Sequence, residues 1–192
     1  FDRPGYGLSE QLPRGRVLTL ALEVSWMTGV LDALRIAEPV TIVGHSVASL
    51  YVEAFARVHP TRTAGVVMLD GSYVLLPWRV VPLGVRIDNA HRMIDTGRRV
   101  TQRFRLPRHG FSRVRTVVLP RPPEGFYDHE HYWAAKVFGN WPMLLATMVE
   151  NAAFPAINAS LRRMRKSHPM PRVPVIVVAA LSGPKAWQSF WL

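Results

Sequence analysis

A chain of 192 residues, 48% of them hydrophobic, is long enough to close one substantial core, and that composition argues against disorder. Without cysteine it can form no disulfide and no thiolate metal site, and no apolar run approaches the ~20 residues needed to span a bilayer. The formal net charge of +11 is unevenly placed, with six basic and seven acidic residues up to residue 73 and eighteen basic and six acidic residues beyond it.

Of the 24 basic residues 21 are arginine, which fits the codon bias of a GC-rich genome better than a dedicated anion site. The stretch Arg98 to Arg121 holds eight arginines and no acid. Only Phe104 and Phe111 interleave there, so base stacking is poorly supported and no nucleic-acid partner is expected. An anionic membrane surface is the weaker alternative partner. The chain opens on Phe1 and not Met, and no signal peptide is visible. It therefore reads as a piece of a longer protein, with the cytoplasm as the default compartment.

In chain order, Phe1 to Ser9 reads as a strand end followed by a glycine-rich turn. Gly5 and Gly7 open backbone angles closed to other residues. No helix follows directly, so a structural turn is expected there and not a phosphate cradle. After a polar linker, Leu18 to Ala37 carries Leu20, Val24, Met27, Leu31 and Leu34 at helical spacing, and Pro39 is expected to stop that helix. Val40 to Val43 is β-branched and suits a strand covered on both faces. Ala48 to Arg57 then returns to helical spacing, with Leu50, Ala54 and Val58 on one side, Val47 and Tyr51 beside them, and His59-Pro60 as the stop. Ala64 to Leu69 is a further buried strand, closed by Asp70-Gly71-Ser72. Strand and helix alternating in this way predict a parallel sheet with helices on its faces.

From residue 74 to 170 the alternation is lost. Leu83 to Phe104 gives a basic amphipathic helix with the stripe Leu83, Ile87, Ala90, Ile94 and Phe104, expected to lie as a lid with a solvated arginine face. Residues 124–140 are rich in aromatics, and Met143 to Val149 and Ile157 to Met164 read as two more helices. Pro171 to Ala180 restores a strand of the buried parallel type. No internal repeat is present.

The chemistry concentrates at Gly44-His45-Ser46-Val47-Ala48. A serine between a strand and a helix has its Oγ pushed out of the sheet, beside the first unpaired helical N–H groups. The pattern is one residue from G-x-S-x-G, with Ala48 adding a single methyl at the last position. In Asp128-His129-Glu130-His131 the two histidines share a face only on a strand and no third ligand is evident, so neither a metal nor another cofactor is expected.

Taken in order, Asp2-Arg-Pro-Gly-Tyr-Gly-Leu-Ser9, Gly44-His-Ser-Val-Ala48, Val66-Val-Met-Leu-Asp-Gly-Ser72 and Val173-Pro-Val-Ile-Val-Val178 closely resemble the α/β-hydrolase superfamily. The resemblance implies an α/β chain with a partial α/β-hydrolase fold: a parallel-sheet core from residues 1–73 and 171–192, and a helical cap from residues 74–170. It implies Ser46 as nucleophile and the Val47 N–H as one oxyanion donor. A second donor is expected before Phe1, and the catalytic histidine beyond Leu192. The acid usually follows the seventh strand, but residues 181–192 contain none. Asp70, at the end of the sixth strand, matches a position that some members use. The implied reaction is cleavage of an ester, amide or similar bond through an acyl-enzyme, on a partly apolar small molecule. The chain alone lacks part of that machinery. A non-catalytic relative that binds a ligand under its cap is the alternative.

Overall fold

The structure is a computed structural model that describes residues 1–14, 16–70, 81–103, 129 and 141–179. Two compact units are distinguished, Phe1–Val17 with Val81–Ala153, and Leu18–Val80 with Phe154–Leu192. The arginines from Arg105 to Arg121, most of the aromatic-rich stretch, Asp128, Glu130, His131 and the acid-free residues 181–192 lie outside the described residues.

The second unit carries the alternating elements. Helix α1 (Leu20–Ala33) starts at Thr19, whose Oγ1 accepts from the Leu22 N–H at 3.2 Å. Strand β1 (Val40–His45) leads into α2 (Ala48–Val58), a 3-10 turn follows at Pro60–Arg62, and β2 (Thr63–Leu69) comes next. Strand β3 (Val175–Val178) pairs with β2, and all described pairings are parallel in the order β1-β2-β3. The expected parallel sheet is therefore present. Its core forms where Val52 and Ala56 of α2 meet Val66 of β2, with Met27, Ile42, Met68, Met170 and Val173 around them.

Several expectations need correction. The α1 helix ends at Ala33, before Pro39 can act, because Arg35 turns into the left-handed region at φ 55°. Arg35 N–H then donates to Asp32 O and Ile36 N–H to Leu31 O, which closes the helix end. The buried face of α2 is Tyr51, Val52, Ala54, Phe55 and Ala56, while Val58 is exposed, so the inward stripe is rotated from the expected one. Among the described residues, strand β1 is covered on one face only. Ile42 and Gly44 turn toward α2, whereas Thr41, Val43 and His45 are exposed. Strand β3, expected to be buried, is exposed along its whole length. A β-branched run favours a strand, but what covers the strand depends on elements elsewhere.

In the first unit, residues 1–9 form turns and no strand, with Tyr6 N–H donating to Arg3 O and Ser9 N–H to Tyr6 O. Gly5 (φ 85°) and Gly7 (φ 56°) use the freedom anticipated for them. Helix α3 (Leu83–Arg103) buries Ile87, Ala90 and Ile94, as its stripe predicts. In place of two helices over 143–164 there is one, α4 (Trp141–Ser167), with Pro155 inside it; its residues up to Ala153 belong to the first unit and those from Phe154 to the second. The buried series Val149, Ala153, Phe154, Ile157 and Leu161 keeps helical spacing through the proline, and that burial outweighs one lost backbone hydrogen bond.

Candidate functional site

The end of β1 and the start of α2 are joined by two residues, Ser46 and Val47. Ser46 adopts φ 56°, a region that non-glycine residues occupy at a cost. Two sets of hydrogen bonds hold it there. The Ser46 N–H donates to Leu69 O at 2.9 Å, extending the β1–β2 ladder one step past His45. The Ser46 carbonyl accepts from the Ser49 N–H at 3.0 Å, and the Val47 carbonyl from the Leu50 N–H at 3.0 Å, which starts the helix.

Gly44 makes the tight turn possible. A Cβ at this position would lie 2.5 Å from Ala48 O, 2.7 Å from Ala48 C and 2.9 Å from Ser49 N, all backbone atoms that cannot give way singly. The buried Ser49 hydroxyl donates to Gly44 O at 3.1 Å and ties the strand end to the first helical turn. The last position of the motif is less restrictive, since Ala48 is accommodated half-buried.

Val47 is helical at φ −57°, ψ −30°, and its N–H has no hydrogen-bond partner among the described residues. It is an available donor one residue after Ser46, the placement an oxyanion site needs. Asp70 follows β2 directly, is half-buried, and also takes a left-handed conformation at φ 45°. Its N–H donates to Val178 O at 2.6 Å. Because His45 pairs with Leu69 and Leu69 with Val178, the strand ends are level, so Ser46 and Asp70 emerge side by side. The sequence-predicted trio of Ser46, Val47 and Asp70 therefore gathers at the carboxyl end of a parallel sheet, where open α/β sheets hold their ligands.

The described histidines of this unit lie elsewhere or face away. His45 is exposed on β1. His59 caps the far end of α2, some ~16 Å along a helix of this length. His168 precedes β3 and so lies beyond the amino-terminal end of the strands. The His59 Nε2 lies 3.1 Å from the Thr28 hydroxyl, which already bonds Val24 O. Burial, aided by the Arg62 charge, holds the imidazole below its ordinary pKa. His59 lines a cleft of about 420 Å³ with Val24, Thr28, Asp32, Val58 and Met164, at the opposite end of α2 from Ser46.

Sequence reasoning missed the buried Glu53 on α2. Its carboxylate receives the Arg165 guanidinium at 2.7 and 2.8 Å and Arg57 Nε at 2.8 Å. Burial pushes its pKa up, but the hydrogen bonds and charges of Arg165 and Arg57 outweigh that and hold it below the usual glutamate value. An acid four residues before an arginine on one helix was the available signal for half of this cluster.

No protein-family model and no curated protein matches the chain. Solved structures do. A proposed epoxide hydrolase of Pseudomonas aeruginosa matches over 95% of this chain and 62% of its own, with TM-score 0.65 and 17% identity. Cfl2 of Burkholderia cenocepacia matches over 91% of this chain and 59% of its own, with TM-score 0.59 and 17% identity. The thioesterase domain of the curacin biosynthetic pathway matches over 97% of this chain and 67% of its own, with TM-score 0.54 and 16% identity. The chain thus spans about three fifths of the length of the first two. Three parallel strands, a strained serine between β1 and α2, and these matches agree: the chain has part of the α/β-hydrolase fold.

Proposed function

We propose that the chain supplies the nucleophile of a hydrolase acting on an ester, amide or similar bond, with Ser46 as the attacking group. The carrying observation is Ser46 itself, a non-glycine residue at φ 56° in a strand–helix turn, beside a Val47 N–H that has no partner among the described residues. Strain of this kind costs on the order of 1–3 kcal/mol and persists where the surrounding structure imposes it. The neighbours named as an epoxide hydrolase and a thioesterase support hydrolysis as the general class.

In the proposed reaction a histidine, not among those described near Ser46, accepts the Oγ proton while the oxygen adds to the substrate carbonyl. The tetrahedral oxyanion is met by the Val47 N–H. Collapse expels the alcohol or amine, which takes the proton from the histidine and leaves an acyl-enzyme. Water, deprotonated by the same histidine, then cleaves the acyl group and restores Ser46. Asp70 would orient the histidine and stabilise its charged form. The substrate would be a partly apolar small molecule, and residues 74–170 would form the cap over it.

The test is labelling of the complete gene product with a fluorophosphonate probe. The adduct should map to Ser46, and Ser46→Ala should abolish labelling and lower ester turnover by at least about 10⁴-fold. A folded protein that leaves Ser46 unlabelled and keeps its activity as Ser46→Ala would sink the proposal. If the same protein instead holds an apolar ligand without turning it over, the non-catalytic alternative replaces it.

A further inference from the structure

Helix α3 presents two unlike faces. Ile87, Ala90 and Ile94 are buried on one side. On the other, at about 100° per residue, Val85, Arg92, Met93, Arg99, Val100 and Arg103 fall within an arc of about 120°. Three large apolar side chains there are exposed, Val85 at 47%, Met93 at 63% and Val100 at 43%. Arg92, Arg99 and Arg103 are exposed between them. A single exposed apolar residue means little, but three interleaved with three arginines on one helical face do not resemble an ordinary solvated surface. Asp95 is engaged by Arg14 at 2.5 Å and also feels the charge of Arg99, and Asp88 lies at the margin of the arc, but five arginines against two aspartates leave the helix basic. No described helix is long and apolar enough to cross a membrane, so a lipid-facing role would be played lying flat.

We propose that this face of α3 docks on an anionic lipid surface, with Val85, Met93 and Val100 entering the headgroup boundary and Arg92, Arg99 and Arg103 meeting lipid phosphates and carboxylates. Charge complementarity selects this occupant. An uncharged apolar partner would leave three desolvated guanidinium groups without counter-ions, and a nucleic acid would leave the three apolar side chains in water. The docking is separate from the Ser46 chemistry and does not depend on it.

The experiment is co-sedimentation of the purified protein with vesicles of phosphatidylcholine alone, and of phosphatidylcholine with about one third phosphatidylserine. Binding is expected to the mixed vesicles only, and to weaken in high salt. Each arginine near such a surface contributes roughly fivefold, so the triple variant Arg92→Gln/Arg99→Gln/Arg103→Gln should bind about 100-fold more weakly. Val85→Gln/Met93→Gln/Val100→Gln should also weaken binding, by at least about tenfold. All six positions are exposed, so thermal unfolding should match the parent protein. The chain has no cysteine, so Met93→Cys carries a unique environment-sensitive fluorophore, whose emission should shift to the blue on mixed vesicles. The proposal is overturned by no binding, by equal binding to both vesicles, or by an apolar variant that binds like the parent, which would mark a plain basic patch. The Ser46→Ala protein must bind vesicles like the parent, so failure of the hydrolase reading leaves this result intact.

Discussion

Ser46, Arg35 and Asp70 all hold left-handed backbone conformations without being glycine, but for different reasons. Arg35 closes α1, and its backbone geometry alone is needed there. Arg35→Gly should therefore stabilise the protein by about 1 kcal/mol, read as a rise in the urea midpoint at unchanged slope. At Ser46 the same gain should come with loss of chemistry. Ser46→Gly should be about 1 kcal/mol more stable than Ser46→Ala, while both are inactive. Equal stability of the two would mean that the turn relaxes and stores no strain. Gly44 makes the complementary case. Its added Cβ would meet backbone at 2.5 Å, so Gly44→Ala should cost roughly 2–3 kcal/mol and disturb fluorophosphonate labelling as well. These local features were legible in the sequence because a strand–turn–helix junction uses residues adjacent in the chain. The left-handed Arg35 was not, since no glycine or asparagine marks it.

Elements were legible where periodicity was long, and less so where coverage or a partner decides the outcome. The α3 stripe of Ile87, Ala90 and Ile94 and the β1–α2–β2 order stood in the sequence as they stand in the fold. Val175–Val178 did not, because its β-branched side chains report a preference for extended backbone and say nothing about what lies over them. Met143 to Val149 and Ile157 to Met164 read as two helices, where α4 is one that runs through Pro155. Pro155→Ala should restore the missing N–H bond to the carbonyl of Asn151 and raise stability by roughly 2 kcal/mol, measured by denaturant unfolding. An unchanged midpoint would show that the helix has already adapted around the proline. The Glu53 cluster gives a pH test. Its folded pKa lies below that of an ordinary glutamate, so its contribution is present above the ordinary glutamate pKa and is lost as pH falls through the folded value. Glu53→Gln should cost roughly 2 kcal/mol near neutrality, less than a fully enclosed pair, because Arg165 is half in water. Wild type and variant should converge in acid. A gap that persists there would assign the loss to packing and not to charge.

At the scale of the molecule, the described sheet leaves apolar side chains in water on the strands that carry the site. Val43 is 60% exposed on β1, and Ile176 and Val177 are 55% and 63% exposed on β3. The backbone pairing of β1, β2 and β3 already fixes the relative positions of Ser46 and Asp70, so these outer side chains are not needed to build the turn. They do have a solution consequence. A short, uncharged β-branched run exposed along a strand is a template for association. The chain's net charge of +11 opposes this at low ionic strength, and salt screens that repulsion. The purified chain should therefore self-associate as salt is raised, the reverse of the salt response expected for vesicle docking. Val177→Lys should suppress that association in analytical ultracentrifugation without lowering thermal stability, since it replaces an exposed side chain and keeps the backbone ladder to Met68. If Val177→Lys instead unfolds the chain, that side chain is covered in solution, and the open face of β3 is not the state the protein keeps.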